Sequence, residues 1–271
     1  MNIPIIELID VWKSYNGTQA LRGLNLDVRR GEIFGLIGPN GAGKTTALKI
    51  IVGLLRMDRG TVRVNGVDIN EEPYEYKRII GYVPESVSLP DYLTIEEFLI
   101  YSGKVRGVSN SQIKERMNYF FKLFELEEKR KTLIVSLSRG MRQKVAVAAA
   151  LIHDPDLLIL DEPFIGIDPM GQHILKELFG ERISGGKTIF ISTHMLDTAE
   201  RLCNRVAIIH KGQNVASGDL KNLQLISKTG ENATLEEVFL KLMEEAKEQF
   251  IEESFEKRRK GFFGFLRRGR S

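Results

Sequence analysis

The segment from Gly38 to Thr46 combines glycines with one lysine and two adjacent hydroxyls, a set of residue types suited to holding phosphate. Its members are Gly38, Pro39, Asn40, Gly41, Ala42, Gly43, Lys44, Thr45 and Thr46. The spacing fits the pattern G-x-x-x-x-G-K-[ST], in which glycines let backbone N–H groups turn towards a phosphate. Lys44 would reach the β- and γ-phosphates of a nucleotide, and the Thr45 hydroxyl would be a ligand of Mg²⁺. The segment therefore predicts a phosphate-binding loop.

Two adjacent carboxylates follow a short apolar run later in the chain. Asp161 and Glu162 come directly after Leu157 to Leu160. Ligands of α/β proteins bind where strands end, so Asp161 would hold Mg²⁺ through water and Glu162 would orient or deprotonate an attacking water. The alternative is a solvated pair of acids at a helix start, which the apolar run before them disfavours.

A third candidate is the segment Leu137 to Gln143, which precedes the helical run from Lys144 to Ile152. Ser138 is typical of a helix N-cap, and a helix N-terminus that carries serine and Gly140 can bind a phosphate oxygen. Because Gly38 to Thr46 already supply one cradle, this second helix end would serve a phosphate held by another copy. An ordinary capped core helix explains the segment equally well when it is considered alone.

The elements that must position these residues follow from the apolar patterns. Strands are predicted in the first third of the chain, at Ile5 to Tyr15, Leu24 to Val28, Ile33 to Ile37 and Thr61 to Val64. Short apolar runs separated by helix-length segments then indicate a parallel sheet, at Leu157 to Leu160, Thr188 to Ser192 and Val206 to Ile209. Between the two groups, a capping box at Thr94 and Glu97 opens a mostly helical stretch that runs to about Ile152. Gly212 and Gly218 are predicted to mark the end of the α/β core.

A second capping box, at Thr234 and Glu237, predicts a C-terminal amphipathic helix over residues 231–254. One stripe of this helix would carry Leu235, Val238, Phe239, Leu242, Met243 and Ala246. The domain prediction is thus a core over residues 5–230, with a helical insert at about 91–155, followed by this helix and by a basic aromatic tail over 255–271.

Composition and charge limit the classes of function. No apolar stretch approaches the roughly 20 residues that a membrane-spanning helix needs, and no secretory signal is expected. The single cysteine, Cys203, excludes an internal disulfide and fits a reducing cytoplasm. Although the net charge is +3, residues 255–271 hold seven cations and one anion, which leaves a mildly acidic body. No specific nucleic-acid partner is therefore expected.

In their order and types, these motifs resemble the ATP-binding subunit of ABC transporters, from about Ile6 to Leu240. The resemblance implies a P-loop NTPase core of class α/β, with a mainly parallel sheet, an antiparallel β subdomain and an inserted helical subdomain. It also implies that Tyr15 stacks on adenine, that Leu137 to Gln143 is the signature motif, that Asp168 ends the D-loop, and that His194 contacts the γ-phosphate.

The chain departs from the common family pattern at two places. Arg139 and Met141 stand where the signature L-S-G-G-Q has glycine and glutamine, whereas Ser138 and Gly140 remain. Glu85 stands where most members have the glutamine of the Q-loop, and its carboxylate retains an oxygen ligand for Mg²⁺. Both departures resemble a branch of single-cassette exporters that includes drug- and sodium-extrusion ATPases.

The resemblance implies an Mg²⁺-dependent ATPase that is peripheral to the cytoplasmic face of the cell membrane. Two copies, or this chain and a related ATPase, would enclose ATP between the loop of one and Ser138 and Gly140 of the other, and a separate membrane permease would use the closure. An alternative is a soluble or regulatory ABC ATPase that remodels a nucleic-acid, ribosome or cell-surface complex. A P-loop kinase or GTPase is a third possibility, in which Glu162 and the signature would have no role.

The basic tail, residues 255–271, flanks Phe262, Phe263 and Phe265 with two groups of cations. Aromatic residues at interface depth beside cations at head-group depth are typical of contact with an anionic lipid surface. Gly261 and Gly264 disfavour a stable helix, so a solvated tail is an equal alternative.

Overall fold

The computed structural model describes residues 3–248, which form ten strands and eight α-helices. The strands are β1 (Ile6–Tyr15), β2 (Thr18–Val28), β3 (Ile33–Ile37), β4 (Arg59–Val64), β5 (Val67–Asp68), β6 (Ile80–Val83), β7 (Leu157–Asp161), β8 (Thr188–Thr193), β9 (Arg205–His210) and β10 (Gln213–Gly218). The helices are α1 (Lys44–Ile51), α2 (Ile95–Val105), α3 (Asn110–Leu123), α4 (Arg139–Leu151), α5 (Pro169–Ser184), α6 (Leu196–Leu202), α7 (Leu220–Ser227) and α8 (235–248). Short 3-10 turns lie at Tyr76–Ile79, Glu127–Lys129 and Ile134–Ser136.

A six-stranded sheet in the order β10-β9-β3-β8-β7-β6 forms the centre of the fold. Its strands are parallel except β10, which pairs antiparallel with β9. Every residue of β3, β7 and β8 is buried, which is why these strands appear in the sequence as continuous apolar runs. Because parallel strands end at the same edge, the segments that follow β3, β6, β7 and β8 come together there.

A four-stranded antiparallel sheet in the order β2-β1-β4-β5 lies on the other side of α1. Helix α1 contacts β2 and β4 of this sheet and also β7 and β8 of the central sheet. One apolar cluster therefore joins both sheets through α1, with Phe34, Leu48 and Val62 among its fully buried members. The predicted α/β class, with an antiparallel β subdomain, is confirmed.

The helical insert is confirmed in kind, since α2, α3 and α4 occupy the stretch that was predicted to be helical. The Thr94 hydroxyl accepts a hydrogen bond from the Glu97 N–H, and the Glu97 carboxylate accepts one from the Thr94 N–H at 2.9 Å. Helix α4 begins at Arg139 and Ser138 is its N-cap, as the sequence predicted: the Ser138 hydroxyl accepts a hydrogen bond from the Met141 N–H at 3.3 Å. The insert packs on one face of the central sheet.

Two elements at the end of the core, β10 and α7, were not predicted. Strand β10 runs from Gln213 to Gly218, whereas the sequence predicted no strand around Gly212 and Gly218. The side chains of β10 are mostly half-buried at the sheet edge, so its sequence lacks the apolar run by which seven strands were predicted. The short strands β5 and β6 were not predicted either. The Thr234 capping box is present, and the residues of α8 that pack on the core include Leu235, Val238 and Leu242. The predicted tail, 255–271, and the end of the predicted helix lie outside the described residues.

Between residues 3 and 248, the structure contains no helix with the length and apolar character required to cross a membrane.

His153, which follows α4, is predicted to make stability depend on pH. Burial, followed by the positive charge of Arg106, lowers the pKa of His153 to about 4. Its Nε2 donates to the Ile80 carbonyl at 3.1 Å, while Nδ1 is buried without a hydrogen-bond partner. The unfolded ring titrates near about 6.5. As the pH falls from that value towards 4, the unfolded chain binds a proton that the folded chain does not, and stability decreases.

His153→Gln should remove that proton uptake. In the wild type, the free energy of unfolding should be lower at pH 5 than at pH 7.5. In the variant we expect this difference to be smaller by about 1–2 kcal/mol, allowing for partial exposure of the ring. Urea unfolding at the two pH values measures the difference. His173→Gln is the control: the His173 ring is exposed and pairs with Glu177 at 3.3 Å, so the wild-type pH dependence should persist. An unchanged pH dependence in His153→Gln would contradict the assignment.

Candidate nucleotide-binding site

The loop from Gly38 to Thr46 connects β3 directly to α1, as the sequence predicted. Its glycines are needed because the backbone passes close to neighbouring strands. A Cβ on Gly38 would lie 2.3 Å from the Ile209 carbonyl oxygen, and one on Gly43, at φ 110°, would lie 2.6 Å from the Ala20 carbonyl oxygen. Helix α1 begins after Gly43 with no side-chain cap. The first N–H groups of the helix are thus available to an anion.

Lys44 is the first residue of α1, and its side chain is 7% exposed. Its ammonium donates to the Gly38 carbonyl at 2.7 Å, so it is held over the loop that it follows. The same ammonium lies 3.7 Å from the Glu162 carboxylate. The loop and the end of β7 therefore face each other, with the cation between them.

Asp161 is the last residue of β7 and is almost fully buried. One carboxylate oxygen, Oδ1, accepts a hydrogen bond from the Ser192 hydroxyl, whereas Oδ2 is buried with no hydrogen-bond partner. An unpartnered buried carboxylate oxygen fits a cation, directly or through water. The described residues contain no group of three or more His, Cys, Asp or Glu that could bind a metal by themselves.

Glu162 adopts a left-handed conformation at φ 49°, an uncommon one for a residue with a side chain. Its N–H donates to the Ser192 carbonyl at 3.0 Å. The carboxylate accepts from the Thr193 hydroxyl at 3.1 Å and lies 2.9 Å from His194 Nδ1. Thr193, at the end of β8, and His194, directly after it, therefore hold the Glu162 carboxylate in one orientation.

A pocket of about 550 Å³ collects most of the residues that the sequence predicted for the site. Its lining residues come from the ends of β1, β3, β6, β7 and β8, from the segments after them and from the start of β2. They are Tyr15, Ala20, Pro39, Asn40, Gly41, Ala42, Gly43, Lys44, Thr45, Thr46, Glu85, Glu162, Ile165 and His194. The ring of Tyr15 is 45% exposed, so a planar group could lie against it.

The signature and D-loop residues do not line this pocket. Ser138 is exposed at the start of α4, and exposed Asp168 caps α5 by accepting from the Gly171 N–H at 2.8 Å. A Cβ on Gly140 would lie 3.4 Å from the Gly166 carbonyl oxygen, so the two segments adjoin each other on the surface. Their phosphate-facing role would need a second copy of the site.

Sequence reasoning missed Ser192, which is fully buried in β8 and orients the Asp161 carboxylate. The available signal was a hydroxyl directly after the apolar run Ile189 to Ile191. The hydrogen bond from Thr193 to Glu162 could not be inferred without the pairing of β7 with β8.

Comparisons with known proteins agree with a nucleotide-binding site. The family model described as ABC transporter matches residues 21–165. The Nod factor export ATP-binding protein I of Cupriavidus metallidurans is 40% identical over 215 residues, covering 79% of this chain and 71% of the relative. The linearmycin resistance ATP-binding protein LnrL of Bacillus subtilis is 35% identical over 219 residues, covering 81% of this chain and 70% of the relative.

Solved structures of ATP-binding cassettes match most of the chain. The ATP-binding subunit of an ABC transporter superposes with a TM-score of 0.84 at 36% identity, covering 88% of this chain and 99% of the other. A dimeric ATP-binding cassette in a post-hydrolysis state, bound to ADP and Pi, superposes with a TM-score of 0.72 at 28% identity, covering 79% of this chain and 98% of the other.

Proposed function

The chain belongs to the ABC transporter family of ATP-binding proteins, and we propose that its pocket between Gly38 to Thr46 and Glu162 is the ATP-hydrolysing centre. The chain is an ATP-binding and ATP-hydrolysing subunit that powers a separate membrane permease. The observation that carries the assignment of the centre is the Glu162 carboxylate, which is held by Thr193 and His194 opposite Lys44.

Hydrolysis would use these groups as follows. The loop N–H groups and Lys44 bind the β- and γ-phosphates, and Glu162 accepts a proton from a water whose oxygen attacks the γ-phosphorus. The bond between that phosphorus and the β–γ bridging oxygen breaks, and ADP and inorganic phosphate leave. His194 keeps the carboxylate oriented and would contact the γ-phosphate. Tyr15 would stack on adenine.

Thr45, Glu85 and Asp161 would hold Mg²⁺, which when bound neutralises charge on the phosphates. The unpartnered Oδ2 of Asp161 and the position of Thr45 and Glu85 in the pocket lining support this set.

We assign Ser138, Gly140 and Asp168 to the second ATP site of a homodimer. They are outside the pocket of their own chain, two of them are exposed, and a related cassette of known structure is dimeric with ADP and Pi. ATP would thus lie between the loop of one copy and the signature of the other, so that binding closes the dimer and hydrolysis reopens it.

A groove of about 370 Å³ beside the nucleotide pocket would receive the permease. It lies between β6 and helices α2 and α4 and includes Pro84, Phe98, Tyr101 and Val105. Pro84 lines the groove while the next residue, Glu85, lines the nucleotide pocket, so one short segment contacts both. A cytoplasmic segment of the permease in this groove would place the subunit on the cytoplasmic face of the cell membrane. Because relatives act in export and drug resistance by name, we favour an exporter over the soluble alternative.

The docking test uses Tyr101, which lines the groove and is 60% exposed. Tyr101→Glu should abolish co-purification with a membrane protein from detergent-solubilised membranes, because a buried carboxylate would lack a partner. ATP hydrolysis by the isolated subunit should stay within about twofold of wild type, since the residue is outside the nucleotide pocket. Tyr74→Glu, at an exposed position outside the groove, is the control. Normal co-purification of Tyr101→Glu would reject the groove as the docking site.

The basic tail, residues 255–271, lies outside the described residues. Its sequence supports a proposal that it contacts anionic lipid head groups beside the permease.

A further inference from the structure

The end of β1, where Tyr15 lies, is tied to the start of β4 by one acidic side chain. Asp58 Oδ1 accepts from the Lys13 ammonium at 2.7 Å, and Oδ2 accepts from the Ser14 N–H at 2.6 Å. The Asp58 N–H in turn donates to the Trp12 carbonyl at 2.8 Å. Three successive residues before Tyr15 are thus bound to one residue 45 positions later than Lys13. We call this set of contacts the Asp58 clamp.

The clamp also sets what lies against the tyrosine ring. The Lys13 ammonium is 5.8 Å from the centroid of the Tyr15 ring, a distance at which a cation is attracted to the ring. The Lys13 side chain is only 14% exposed, so its ammonium is confined near that ring and Asp58. The same ring lines the nucleotide pocket with the phosphate-binding loop.

Tyr15 needs such support because of its place in the strand. It pairs with Thr18 across the two-residue turn Asn16–Gly17, at the tip of the β1–β2 hairpin. Strand ends at hairpin tips open more readily than strand centres, since fewer contacts hold them. Without an anchor, ordering the ring would have to accompany nucleotide binding.

The Asp58 carboxylate can hold Lys13 and Ser14 as a charged group at neutral pH. The hydrogen bond from Lys13, followed by the one from the Ser14 N–H, lowers the pKa of Asp58 below its ordinary value. The carboxylate therefore remains charged where the protein works.

We propose that Asp58 and Lys13 are positioning residues that hold the Tyr15 ring ready to stack on the base of the bound nucleotide. The proposal rests on the proposed function, in which Tyr15 is the adenine platform. The clamp acts on the adenosine half of the ligand and leaves the phosphate-binding loop unaffected.

Calorimetric titration of the full chain with ADP and with pyrophosphate, both with Mg²⁺, separates binding of the adenosine part of the nucleotide from binding of its phosphates. The ligands share a diphosphate, only ADP carries a base, and neither is hydrolysed at this site. Asp58→Asn removes the carboxylate charge, and Lys13→Met removes the ammonium but retains the Ser14 bond. Each should weaken ADP binding about three- to tenfold and leave pyrophosphate binding within about twofold. Tyr15→Leu sets the reference, with a loss of about tenfold or more for ADP alone.

Glu7→Gln is the matched control, because Glu7 pairs with Arg63 at 3.1 Å across the same two strands but at the far end of β1. It should bind both ligands as wild type does. Unchanged ADP binding in Asp58→Asn and Lys13→Met, or equal losses for ADP and pyrophosphate, would overturn the proposal. A wild-type chain that binds ADP no more tightly than pyrophosphate would overturn it too, while leaving the loop assignment intact. A wild-type chain that binds neither ligand would instead reject the proposed function.

Discussion

Glu162→Gln should lower the rate of ATP hydrolysis by about 10²–10⁴-fold while ATP still binds. The amide has the shape of the carboxylate and can remain between Thr193 and His194, but it cannot take the proton of the attacking water. Because closure would then no longer be followed by hydrolysis, ATP-bound dimers should accumulate. Steady-state phosphate release and size exclusion in Mg²⁺ and ATP measure the two effects.

Glu32→Gln is the control for the loss of a buried carboxylate charge. Glu32 is 7% exposed and pairs with Arg205 at 3.0 Å, but it does not line the nucleotide pocket. Its variant should hydrolyse ATP at close to the wild-type rate wherever it is folded. Near-normal turnover in Glu162→Gln would remove Glu162 from the role of general base.

Lys44→Ala should weaken nucleotide binding roughly 10- to 100-fold, since charge-assisted hydrogen bonds to phosphate are lost. Among the residues that line the pocket, Lys44 is the single lysine or arginine. Lys49→Ala, at an exposed position of the same helix, should bind as wild type does and shows whether losing any α1 cation matters. Calorimetric titration with Mg²⁺ and ADP provides the affinities.

Ser138→Arg distinguishes binding by one chain from closure of two. Because Ser138 is outside the pocket of its own chain, the variant should bind ADP normally but form no ATP-dependent dimer. Ser109→Arg removes a comparable helix cap, at α3, and should dimerise. If Lys44→Ala and Ser138→Arg lose ADP binding equally, the model of ATP between two copies is wrong.

Local patterns were enough to predict most of the scaffold. Residues that are neighbours in sequence determine three of its features. The phosphate loop and the Asp161–Glu162 pair each follow an apolar run, and the Thr94 capping box opens an amphipathic helix. Strand β10 escaped prediction because its stability comes from pairing with β9 and from half-burial, which no short window of sequence contains.

The features of the site that could not be predicted depend on contacts between segments that are distant in sequence. The bonds from Ser192 to Asp161 and from Thr193 to Glu162 exist because β7 and β8 are neighbours in the sheet, a pairing that the residues of neither strand specify alone. The same holds for Asp58 and Lys13, whose residue types are ordinary for exposed positions. The roles of Ser138 and Asp168 in a second site likewise depend on a partner and stay predictions.

The Asp58 clamp also has an optical consequence. Trp12, whose carbonyl accepts from Asp58, is the single tryptophan of the chain, and its indole N–H donates to Asp10 at 2.6 Å. All indole emission of the protein therefore comes from one place, three residues before the ring that would meet adenine. Nucleotide arrival that shifts this strand end would change the emission, so stopped-flow fluorescence could follow association and release in real time with no attached dye.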